Sequence, residues 1–155
     1  MIVMIGGSAN TGKTTLAQWL HDRFKFPVVK LDDTAKEYRR QSNDEWLAPK
    51  SHDTPGWLGR VILEVVDRGE LHQFFDFIRD CTPDPAIMEG QFVGRHIWKG
   101  YVMAAWAREI ESRLKPIPLI RLYTGPGFQI FHDDSTNPLN KEDILQLIRG
   151  LSNAG

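Results

Sequence analysis

The chain begins Met1-Ile2-Val3-Met4-Ile5-Gly6-Gly7-Ser8-Ala9-Asn10-Thr11-Gly12-Lys13-Thr14-Thr15, and three signals follow one another within it. Met1–Ile5 is an unbroken apolar run closed by Gly6-Gly7, the pattern of a strand buried on both faces. Gly7 to Thr14 fits G-x-x-x-x-G-K-[ST] at every fixed position. From average residue frequencies that pattern arises by chance in roughly one in a few hundred chains of this length, so a glycine turn without a ligand is the weaker reading. Lys13 to Phe24 then carries Leu16, Leu20 and Phe24 on one helical stripe.

Each fixed position of the loop has a physical job. The glycines permit backbone angles that turn successive N–H groups inward around an anion. The following helix lays its positive end on the same anion. Lys13 adds a movable positive charge for the β- and γ-phosphates, and Thr14 offers a hydroxyl to magnesium. The expected contacts to a nucleoside triphosphate are therefore Gly7, Ser8, Ala9, Asn10, Thr11, Gly12, Lys13, Thr14 and Thr15.

Outward from this loop, strand and helix patterns alternate. Pro27–Leu31 is a second apolar strand closed by Asp32-Asp33, and Thr34 to Trp46 is a polar helix followed by a loop. Thr54-Pro55 is a helix start. Beyond it Leu58, Val61, Ile62 and Val65, and after Gly69 Leu71, Phe74, Phe75 and Ile78, keep helical spacing. Two helices and one kinked helix both fit. Ala86-Ile87-Met88 is a third strand ending at Glu89-Gly90, Arg95 to Lys115 a helix and Ile117–Tyr123 a fourth strand. Thr124-Gly125-Pro126-Gly127 is a tight turn and Phe128–Phe131 a fifth strand. Asn140 caps a last helix, with Asp143 in the capping-box position. The expectation is a single α/β domain over 1–155, with helices on both faces of a five-stranded parallel sheet.

In open sheets of this kind ligands sit beyond the C-terminal strand ends. The polar residues that follow the strands then share one rim: Gly7–Thr14, Asp32-Asp33, Glu89 and the residues around Thr124. A carboxylate at Asp32 is placed to accept a proton from an attacking hydroxyl or to orient it. Asp33 reads as a second acceptor-side carboxylate or as the cap of the next helix. Glu89 reads as a ligand to magnesium or to the acceptor.

Taken together, Gly7–Thr14, Lys30-Leu31-Asp32-Asp33 and Ile87-Met88-Glu89-Gly90 resemble the small-molecule kinases of the P-loop superfamily, nearest to the uridine kinase and nicotinamide riboside kinase group. Ser51-His52-Asp53-Thr54-Pro55 resembles that group's acceptor-side segment, and Asp134-Ser135-Thr136-Asn137-Pro138 its base-contacting loop. The resemblance implies a three-layer P-loop NTPase fold, ATP as donor, Mg2+, and a small-molecule hydroxyl acceptor. It makes Asp32 the candidate base and Glu89 a candidate magnesium or acceptor ligand. One departure stands out: these kinases usually carry an arginine-rich lid between the fourth and fifth strands, where this chain has Thr124-Gly125-Pro126-Gly127. Arg95, then Arg39 and Arg40, are the candidates to supply the missing positive charge. The rival class is a nucleotide-binding module with little turnover, acting as sensor or partner subunit.

Composition agrees with a cytoplasmic reading. The chain has 155 residues, 25% of them charged, and a net charge of -1, which favours neither nucleic acid nor membrane as partner. Its one cysteine, Cys81, can form no internal disulfide and reads as a small buried apolar group. Trp46, Trp57 and Trp98 read as core before substrate platform. His52 beside Asp53 reads as a hydrated loop pair, and His132-Asp133-Asp134 lacks the side-chain convergence a metal needs. Lys36, Arg39 and Arg40 make a basic cluster able to hold an anionic acceptor, with Arg39 as the substrate-binding candidate, but too small for a nucleic-acid face.

Overall fold

β1 (Ile2–Gly7) is buried at every position, and its period-two alternation divides the core. Ile2 and Met4 face one hydrophobic cluster, Val3 and Ile5 the other. The structure is a computed structural model; it describes residues 1–8, 10–42, 46, 56–94, 101–133 and 135–154, with backbone alone at 101–103, 153 and 154. The expectations placed on Ala9, on Ser51-His52-Asp53-Thr54-Pro55, on Arg95 and Trp98, and on Asp134 lie outside the described residues.

The five strands are β1, β2 (Val28–Lys30), β3 (Ala86–Glu89), β4 (Leu119–Thr124) and β5 (Ile130–His132), in the order β2-β3-β1-β4-β5. The described helices are α1 (Lys13–Phe24), α2 (Leu31–Gln41), α3 (Trp57–Asp67), α4 (Leu71–Asp80), α5 (Tyr101–Leu114) and α6 (Lys141–Ala154). α1 and α6 pack on the Val3/Ile5 face through Leu16, Ala17, Leu20, Ile144 and Ile148. α2 to α5 pack on the Ile2/Met4 face, with Val61, Phe74, Phe75 and Ile110 fully buried there. Gly69, at φ +70, separates α3 from α4, so the long apolar pattern is two helices.

The sheet is mixed, which corrects the expectation of five parallel strands. β1, β2, β3 and β4 are parallel, and β5 is antiparallel to β4, with Tyr123 opposite Phe131. The cause is the length of the last connection. Parallel neighbours need a crossover of about a dozen residues or more, and residues 125–129 allow only a hairpin, closed by Gly125 N–H donating to the Gln129 carbonyl at 2.8 Å. Phe128 belongs to the short 3-10 turn Pro126–Phe128, not to the strand.

Two further expectations are revised. α2 starts at Leu31, so Asp33 lies inside its first turn and is not its cap. Leu31 tucks inward over Gly90, where an added Cβ would come within 2.8 Å of its side chain, and two acidic residues in the first turn suit the positive helix end. Cys81 is exposed, standing just past the end of α4. The Asn140 cap is as expected: its backbone N–H donates to Asp143 Oδ2 at 3.0 Å, and Asp143 N–H to Asn140 Oδ1 at 2.8 Å. No described helix is long and apolar enough to cross a membrane.

After β3 the chain folds over the sheet's C-terminal rim, with Phe92, Val93 and Gly94 buried. Gly94 presses on β1 and β4 at φ +83, and a Cβ there would meet Leu122 O at 2.2 Å and Gly6 N at 2.7 Å. Both obstacles are backbone. Gly94→Ala is expected to cost about 2–4 kcal/mol, combining overpacking with left-handed strain. Urea denaturation measures it, and a loss below about 0.5 kcal/mol, the range of neutral surface changes, would disprove the close approach.

Candidate functional site

The loop leaving β1 is held by crowding and by hydroxyls. Gly7, at φ +143, lies so close to β4 that an added Cβ would sit 2.4 Å from both the carbonyl oxygen and Oγ1 of Thr124. Thr11 Oγ1 donates to the Ser8 carbonyl at 2.7 Å and lies 2.7 Å from Thr124 Oγ1. Thr124 Oγ1 also lies 3.3 Å from the Gly6 carbonyl. Each hydroxyl has one proton, so the two threonines share two protons among three contacts. The loop is thereby tied to the strand that neighbours its own. Asn10 at φ +60 and Gly12 at φ +93 supply the left-handed turns that lead into α1.

α1 then presents two side chains to the rim. Lys13 Nζ donates to the carbonyls of Gly7 at 2.8 Å and Ser8 at 2.9 Å, lying inside the curl of the loop. Thr14 Oγ1 donates to Glu89 Oε1 at 2.8 Å. Glu89 shares a sheet face with Ile87, the α1 face, as period two requires. It is only 8% exposed, and its second oxygen, Oε2, is buried with no hydrogen-bond partner among the described residues. Burying a carboxylate oxygen without a partner is costly, so this atom marks a place where a proton donor or a cation fits.

Asp32, half-buried in the first turn of α2, joins the same electrostatic neighbourhood. Burial holds the Lys13 ammonium below its ordinary value, against the opposing pull of Glu89 and then of Asp32. The loop lysine and the two rim carboxylates thus share one field, as the strand-end argument anticipated. Thr15 and Asn10 are exposed beside them, and together with Gly12, Lys13, Thr14 and Phe128 they line a cavity of about 340 Å³.

The other candidates lie elsewhere. Asp33 is exposed. Arg39 is two helical turns beyond Asp32, with its guanidinium 5.3 Å from the Trp46 ring and 5.8 Å from the Trp57 ring. Arg68 lies on the same Trp46 ring at 4.0 Å. Arg40 pairs with Glu37, its Nε 2.8 Å from Oε2, and that pairing holds the Glu37 carboxyl down at about 2. Lys36 is exposed, so the basic cluster of α2 presents no continuous face. Trp57 is core, as expected. Phe128, placed in a strand by its apolar neighbours, was not anticipated at the rim; its only signal was an aromatic after Gly-Pro-Gly.

Magnesium prefers hard oxygen ligands and keeps several waters. Thr14 Oγ1 and Glu89, with its unsatisfied Oε2, form a donor set of that kind. No group of three or more His, Cys, Asp or Glu suited to a metal occurs among the described residues, so a cation here would draw its remaining ligands from phosphate and water. Compared with known proteins, the chain matches no protein-family model and no curated protein.

Lys13 yields a pH prediction. Its folded value lies below its unfolded one, so between the two the unfolded chain holds more protons and stability rises with pH. As pH falls through the folded value that contribution is lost. Glu89→Gln keeps an acceptor for Thr14 but removes the stronger of the two upward pulls on Lys13. Side-chain NMR titration is expected to show Lys13 losing its proton at a lower pH in this variant, and an unchanged or higher midpoint contradicts the proximity argued here.

Proposed function

We propose that this chain is a P-loop kinase, using ATP and Mg2+ to phosphorylate a hydroxyl of a small molecule, nucleoside-like or another metabolite. The observation that carries the reading is the Thr14–Glu89 contact, with a buried carboxylate oxygen lacking a partner beside the loop lysine. The strand order β2-β3-β1-β4-β5, with the glycine loop at the C-terminal end of the central strand β1, supports the three-layer P-loop fold. The antiparallel β5 is an edge variation on it.

In this reading the loop amides and the end of α1 bind the β- and γ-phosphates. Lys13 exchanges the carbonyls of Gly7 and Ser8 for phosphate oxygens, and charge attraction makes that exchange favourable. Thr14 and Glu89 would hold a magnesium ion, which would offset phosphate charge. Asp32 accepts the proton of the acceptor hydroxyl as its oxygen attacks the γ-phosphorus. The bond from that phosphorus to the β–γ bridging oxygen breaks, and ADP leaves. Arg95 remains the first candidate to meet charge on the transferred group.

A second reading is favoured by one feature, the arginine-free hairpin 125–129 in the place of a lid. It makes the chain a nucleotide-binding module with little turnover. Incubation with γ-labelled ATP and a pool of nucleosides, sugars and vitamins separates the two: label in a small product supports the kinase, and tight binding without transfer supports the module. In the kinase, Asp32→Asn is expected to cut transfer at least about a hundredfold while ATP affinity stays near normal. Unchanged turnover in that variant removes Asp32 from the mechanism.

A further inference from the structure

The hairpin between β4 and β5 carries an aromatic ring where burial is absent. Phe128 is 70% exposed, the largest exposure among the large hydrophobic residues described. Its backbone is left-handed at φ +59, directly after Gly127 at φ +70, a conformation that disfavours bulky side chains. Core packing does not account for either cost. The ring lies instead over the start of α1, and a Cβ added to Gly12 would approach its Cδ1 to 3.0 Å. It forms one wall of the cavity shared by Asn10, Lys13, Thr14 and Thr15.

We propose that Phe128 is the stacking platform for the base of the nucleoside triphosphate. This rests on the phosphate-loop reading above. Phosphates seated in the loop leave the nucleoside to extend past Thr15, and the ring supplies an apolar face along that exit. An aromatic face grips any base, since every base has a π-face. Among the described residues, Asn10 is the one side chain of the cavity wall with an amide able to read a base edge. The site is therefore expected to bind ATP and GTP within about fivefold of one another, a fraction of the discrimination that dedicated hydrogen-bond readout gives. The hairpin thus takes up the donor's base, where an arginine lid would take up its phosphates.

The test uses the full chain with Mg2+ and three ligands, ATP, GTP and inorganic tripolyphosphate, by calorimetry. Phe128→Ala is expected to weaken ATP and GTP about tenfold or more and to leave tripolyphosphate within twofold. Phe128→Leu keeps bulk over Gly12 without a ring face and should lose the same factor, while Phe128→Trp should retain nucleotide affinity. Equal losses for ATP and tripolyphosphate would mean that the ring supports the loop, not the base, and would overturn the proposal. Unchanged nucleotide affinity in the alanine variant would overturn it as well, leaving the phosphate loop intact. A wild-type chain that binds neither ATP nor tripolyphosphate would defeat both readings together.

Discussion

A carboxylate buried at the end of β3 takes a hydrogen bond from a hydroxyl at the start of α1, and the geometry of the rim depends on it. Charge is costly to bury unless it is paired. Glu89 has Thr14 on one oxygen and the field of Lys13 nearby, but its other oxygen has no partner among the described residues. The sheet makes this possible, because β1 and β3 are adjacent and parallel, with Ile5 in register with Glu89. Ending at the same height, the two strands deliver the glycine loop and the carboxylate to one place. Lys30 shares that register on β2, so Asp32 follows only two residues later. An antiparallel β3 would have sent Glu89 to the opposite edge.

The far side of β1 has a different logic. β4 meets the loop through Thr124, which is buried and close to both Thr11 and Gly6. A side chain at Gly7 would destroy that contact, so here the glycine serves close approach as well as backbone freedom. The same strand then turns back at once. That sharp return makes β5 an antiparallel edge and brings Phe128 over Gly12. One short connection therefore both breaks the parallel pattern of the sheet and sets an aromatic wall beside the glycine loop.

Most of the rim was legible in the sequence because it is written in local terms. The loop pattern, the apolar run before it and the acidic residue after each short strand are all short-range signals, and alternation then places them on one edge. The bounds of α1 and the capping box at Asn140 are local in the same sense. The misreadings came where the deciding fact was a partner distant in the chain. Leu31 reads as strand until Gly90 opens a space for it. Phe128 reads as strand because apolar alternation ignores the geometric limit set by a five-residue return, residues 125–129. Cys81 reads as buried from its residue type alone, whereas its position just past α4 leaves it in solvent. The Thr11–Thr124 link carries no sequence signal, since it needs β4 beside β1.

The charges of the rim constrain what can occupy it. Lys13 shares its field with Glu89 and Asp32, so its ammonium faces two carboxylates. A triphosphate added to this set brings more negative charge than Lys13 and the end of α1 offset, since the helix contributes only about half an elementary charge. On α2, Arg39 lies against two tryptophan rings and Arg40 against Glu37. A divalent cation held by Glu89 would resolve that conflict, turning a buried repulsive carboxylate into a ligand. In the proposed kinase, the unsatisfied Oε2 would make polyphosphate binding at this loop depend on a metal ion. Without Glu89 the loop would then be a general anion site, and with Glu89 it would select for anions that arrive with a metal.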